Sequence, residues 1–271
     1  MIFMKKITTR LLSLVLLGAF IPSFVLAETW DLGKGDITVT ATETSQTVSQ
    51  VNGETKDDPD PVITSSGKTE NTVTINAETN ATANVTLENV NIDTGTRGGA
   101  AITTSGEGNV NIELNGTNTV QSGNTHAGVE KKDNGTLTIT DEDKDGSLTA
   151  TGGNYGAGIG GGYEGSGSNI AIEGGKVEAS SVGGGAGIGG GSLGSGSNIA
   201  VSGGEVTAQG GVGGAGIGGG QGGSGSNITI SDGKVTATGA GAGIGGGYAG
   251  SGEGITIEGG YDDGIHLVGD G

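Results

Sequence analysis

The sequence predicts an all-β chain: a right-handed single-stranded parallel β-helix (solenoid), with about 27–30 residues and three short strands per turn. Three observations predict it. The phrase GAGIGGG begins at Gly156 and returns at Gly185, Gly214 and Gly241. Each copy is followed by short segments of polar–apolar alternation, with no run that has the length or 3.6-residue period of a helix. The 63 glycines do not recur every third residue, which excludes collagen, and prolines number only 3.

In the first repeat the alternating segments are AGIG, NIAI and KVEA. Period-two alternation puts Ala157 and Ile159 on one side, then Ile170 and Ile172, then Val177 and Ala179. Two apolar residues cannot bury themselves, but stacked copies can. Ile159, Ile188, Ile217 and Ile244 should form one interior column, and Ile170, Ile199, Ile228 and Ile255 another. Asn169, Asn198 and Asn227 head the second segment of three successive units, as an asparagine ladder would, and Gly254 takes the fourth place. Fainter turns extend upstream, where Ile102 and Val129 occupy the Ile159 position. TVTI from Thr72 and NVTLENVNI from Asn84 read as still earlier strands. The organisation expected is a signal peptide over 1–27, N-terminal strands and first turns over 28–98, and repetitive β-helix over 99–271 without a complete C-terminal cap. The first segment has Lys5, Lys6 and Arg10 before an apolar stretch and ends in Val25-Leu26-Ala27, so the mature chain is expected to be secreted and extracellular, not membrane-spanning.

Charge narrows the function. All 30 acidic residues but only nine of 12 basic ones follow Ala27, which leaves the mature chain at about −21. That argues against nucleic acid, whose phosphates need Lys and Arg. The G-x-G-x-x-G match inside GAGIGGG is not a dinucleotide loop, because no helix-forming run follows any copy. Asp141-Glu142-Asp143-Lys144-Asp145-Gly146 is the most specific local signal. Three carboxylates at alternate positions can converge on Ca2+, so Asp141, Asp143 and Asp145 are candidate ligands. Tyr163 and Tyr248 share the position after GGG, three turns apart, and are candidate glycan contacts. If Ala157 and Ile159 point inward, Gly158, Gly187, Gly216 and Gly243 should form a bare outward strip that could lie under a flat polymer.

Trp30…Gly35-Asp36-Ile37-Thr38-Val39, NVTLENVNI followed by AAI and NVNIELNGTNTV, and DDGIH at the end together carry a resemblance. The chain resembles the secreted bacterial carbohydrate-binding domain family whose members are parallel β-helices similar to polysaccharide lyases. The resemblance implies binding of cellulose or acidic pectic polysaccharide with bound calcium, and it makes Asp262 and Asp263 cation ligands. This sequence stops five residues after His266, where that family would continue, so an open end able to pair with another chain is expected. The function expected is non-catalytic, calcium-assisted binding of extracellular polysaccharide. The alternatives are a structural or adhesive surface solenoid and a polysaccharide lyase.

Overall fold

The computed structural model describes residues 27–51, 53–132 and 134–258, together with the strand His266–Gly269. Residues 1–26, which hold most of the expected signal peptide, and Asp262, Asp263 and Ile265 lie outside the described residues. The described chain is a parallel β-solenoid of about eight turns, and its one short helix, Leu32–Lys34, is 3-10.

From Thr82–Glu88 onward, each turn contributes one strand to each of three sheets. In the first repeat these are Gly167–Ile172, Lys176–Ser181 and Ile159–Gly160 of the first, second and third sheets. Pairing between turns is parallel and in the predicted register: Ile159 pairs with Ile188, Ile188 with Ile217, and Ile217 with Ile244. The column continues downward through Val129, Ile102, Val73 and Ile37. In the first sheet Ile170, Ile199, Ile228 and Ile255 stack as expected. The first three are buried, but Ile255 is 38% exposed at the last described turn. One apolar cluster thus runs from Trp30 to Ile244.

The asparagine ladder forms, and its backbone explains the residue type. Asn169, Asn198 and Asn227 have φ of 56°, 53° and 51°, and Gly254 has 62°. Asparagine tolerates this left-handed conformation better than most residues with a Cβ. Asn198 Nδ2 donates to Asn169 Oδ1 at 2.9 Å, and Asn227 Nδ2 to Asn198 Oδ1 at 2.7 Å.

One turn is longer than expected. Leu137 pairs with Ile170, 33 positions on, whereas Ile170 pairs with Ile199, 29 positions on. The extra residues lie in 141–146, between Leu137–Thr140 and Ser147–Gly152. Other turns cross this corner with a short glycine bend at positive φ, as at Gly175, Gly204 and Gly233. The acidic loop is therefore an insertion at one corner of one turn.

The bare glycine strip does not form. Gly158, Gly187, Gly216 and Gly243 are buried. A Cβ on Gly187 would lie 2.5 Å from the backbone nitrogen of Gln209 and 2.7 Å from the carbonyl oxygen of Gly216. The third sheet presses against the backbone of the second at this level, so these glycines face protein, not solvent. Alternation failed here because the third-sheet strand is two residues long, and glycine allows both of its sides to be covered.

Candidate functional site

The acidic loop folds partly as predicted. Carboxylate oxygens of Asp141, Asp143 and Glu113 all lie within 4.8 Å of one another. Glu113 comes from Asn109–Asn115, the first-sheet strand one turn below, where it pairs with Thr140. Asp141 Oδ1 accepts from the Lys144 amide at 2.9 Å, and Glu113 Oε1 accepts from the Glu142 amide at 2.7 Å. Asp145 is not part of this group. Lys144, at φ 66°, turns the chain, and Asp145 lines a depression with Asp141, Lys176, Glu205 and Asp232. Sequence spacing identified two of the three clustered carboxylates; Glu113 is 28 residues upstream of Asp141, so only the stacking register reveals it.

The tyrosines stand on one edge of the solenoid. Gly165, Gly194, Gly223 and Gly250 each donate N–H to the carbonyl three residues before, at 2.8 Å, closing a tight turn after each GAGIGGG. The third turn residues, Glu164, Leu193, Gly222 and Ala249, all have positive φ, from 59° to 81°. Positive φ there is the geometry of a type II turn, whose second residue is held at the tip. Those second residues are Tyr163, Ser192, Gln221 and Tyr248. The turns stack: the amides of Glu164, Leu193 and Gly222 donate to the carbonyls of Ser192, Gln221 and Tyr248, each at 2.8 Å. Tyr163 and Tyr248 are 45% and 69% exposed.

Sequence reading missed two partners on this edge. Tyr155 packs edge-on against Tyr163, with ring centroids 5.3 Å apart and planes at 64°. Leu193, 56% exposed, stands on the same row of turns as Tyr163 and Tyr248.

A trough of about 630 Å³ opens beside Tyr163, lined by His126, Glu130, Lys132, Asn134 and Ser168 among others. Its floor carries a buried carboxylate. Glu130 lies on the third-sheet strand Val129–Lys131, and its side chain is 3% exposed. Burying a carboxylate is costly unless it is paired and hydrogen-bonded. Glu130 Oε2 meets His126 Nδ1 at 2.8 Å and accepts from the Ala127 amide at 3.0 Å, while Oε1 meets Lys132 Nζ at 2.7 Å. Glu130 pairs with Gly160 of the next turn, the first position of GGG. Thus AGVEKK replaces AGIGGG, and the signal was readable: one turn substitutes charge for glycine.

Among known families, a model described as a beta helix repeat matches residues 144–163, 170–192, 199–221 and 228–248. The matched segments are repetitive turns, in agreement with the parallel β-helix architecture. No curated protein matches the chain. No solved structure matches it either.

Proposed function

We propose that this is a secreted, non-catalytic carbohydrate-binding solenoid that holds an extracellular polysaccharide along its tyrosine edge. The observation that carries the reading is the exposed Tyr155–Tyr163 pair, aligned with Tyr248 on stacked turns. Rings with an apolar face and a polar tip suit sugars, which offer C–H faces and hydroxyls together. Three turns at about 4.8 Å separate Tyr163 from Tyr248, so the edge spans roughly 14 Å and suits an extended chain. Calcium fits as an assisting ion at Glu113, Asp141 and Asp143, whose oxygen ligands are of the hard type this cation takes. Such an ion would bridge an acidic glycan to a protein of net charge −18.

The test is depletion of the protein from solution by insoluble cellulose and pectic gel, with calcium and with chelator. Retention should fall by about tenfold in Tyr163→Ala/Tyr248→Ala, the scale of two lost aromatic contacts of about 0.7 kcal/mol each. Retention on neither polymer by a folded sample would reject the reading.

A further inference from the structure

We propose that the trough over Glu130 is a subsite for a carboxylate-bearing sugar residue, which needs no calcium. The inference deepens the glycan reading and rests on it: Tyr163, at the trough's rim, is common to both.

The chemistry follows from how Glu130 is held. Its carboxylate is nearly inaccessible and engages one nitrogen each of His126 and Lys132. The ammonium has three N–H donors and gives Glu130 one of them. Lys132 is 53% exposed, so two donors remain to meet a ligand carboxylate. Such charge-assisted hydrogen bonds are stronger than neutral ones. Because Nδ1 of His126 is engaged by Glu130, Nε2 is the ring nitrogen left to exchange a hydrogen bond with a sugar hydroxyl. Glu130 therefore acts as an internal counter-ion that pre-orients an ammonium and an imidazole on one side of the trough. Tyr163 supplies a flat ring beside them, and Asn134 and Ser168 add polar groups to the lining.

Position in the repeat supports specialisation. The four GAGIGGG turns place glycine where this turn has Glu130, Lys131 and Lys132. A buried carboxylate contributes little to stability compared with an apolar replacement. Its worth here lies in the two groups it orients. The chain is strongly acidic overall, yet this concave surface presents an exposed ammonium next to an aromatic ring.

The experiment titrates the full chain with trigalacturonate and with cellotriose, in chelator, and follows the His126 ring signals by NMR. The chain has 2 histidines, and His126→Gln assigns the signal. Trigalacturonate should shift the His126 signal, and cellotriose should shift it less. Lys132→Met should weaken trigalacturonate about tenfold, the scale of a charge-assisted bond, and leave cellotriose unchanged. If Lys132→Met melts early because Glu130 is left unpaired, Glu130→Gln/Lys132→Met removes both charges and should show the same selective loss. An unmoved His126 signal, or equal losses for both sugars, overturns the subsite. If cellulose retention still depends on Tyr163 while trigalacturonate does nothing, the subsite fails and the tyrosine edge stands. If neither sugar nor polymer binds, the glycan reading itself fails.

Discussion

Residues 28–132 and the repeats after Gly156 build the same solenoid with different chemistry. In the first part, side chains close the structure. Ile37–Ala41 and Gln46–Gln50 form an antiparallel hairpin at the end of the third sheet. Buried Asp58 takes the Trp30 indole N–H at 2.8 Å and the Glu28 amide at 3.1 Å. Gln46 Nε2 donates to the carbonyls of Asp58, Pro59 and Asn84. In the repeats, the corners are backbone against backbone. Ala157, Ala186, Ala215 and Ala242 each donate N–H to the carbonyl four residues later, at 2.9–3.0 Å. The comparison teaches that one fold can be specified by particular side chains or by their absence. The first solution is sensitive to truncation, and the second to addition.

Substitutions at four sites, with a control at a fifth, test that contrast. Trp30→Ala should have the largest effect, about 3–5 kcal/mol, because it removes a large buried ring and takes from buried Asp58 one of its hydrogen bonds. Chemical denaturation measures it, and a loss under 1 kcal/mol would show that this end is held otherwise. Gly187→Val comes next, at about 3 kcal/mol, since the new Cβ meets backbone on two sides. Its control is Gly67→Val, where nothing lies within 4 Å of the added carbon and the change should stay within about 0.5 kcal/mol. Equal effects at Gly187 and Gly67 would break the comparison.

Asn198→Ala should cost about 2 kcal/mol, from lost ladder bonds and the left-handed backbone. Asn198→Gly keeps the backbone and should cost about half as much, which separates the two contributions. The smallest effect belongs to Asp36. Hydrogen bonds from Arg97, at 2.8 Å to each carboxylate oxygen, hold its pKa below the ordinary 3.8, helped by Thr72 and opposed by burial. A depressed carboxylate stabilises the fold above its unfolded pKa and loses that contribution as pH falls through the folded value. Asp36→Asn should therefore cost no more than about 1 kcal/mol at neutral pH, and the difference from the parent should shrink as the pH falls below 3.8 and through the depressed folded value. Thermal melts across that range would show it. A difference that persists at pH 2 would mean the role is packing, not charge.

The fold was legible because its signal is periodic. Isoleucines recurring at one position in each unit leave few architectures that bury them, and Asn169, Asn198 and Asn227 mark a corner by residue type alone. The orientation of Gly158 was not legible. Alternation says which side a residue faces, but it does not say how closely another strand approaches. The stretch Asp57-Asp58-Pro59-Asp60-Pro61 reads as an exposed acidic turn, yet Asp58 is buried, because its partner Trp30 lies 28 residues away. The metal and trough residues split along the same line. Asp141 and Asp143 share a loop and were found; Glu113 joins them only after the chain has coiled, and Tyr155 meets Tyr163 only once the corner between them has folded. Glu130 was visible as an irregularity, a charged word in a glycine phrase. Its significance needed the contacts with His126 and Lys132.

The stacked turns at Gly165, Gly194, Gly223 and Gly250 have a consequence for how such a protein can change length. Each repeat presents to its neighbour nearly the same donors and acceptors that it receives. Duplicating a whole unit would slot in without a new packing problem, whereas duplicating part of one would break register on all three sheets at once. Length is therefore counted in steps of about 4.8 Å. The spacing between Tyr163 and Tyr248 becomes a ruler graduated by gene duplication, set by the number of turns between them.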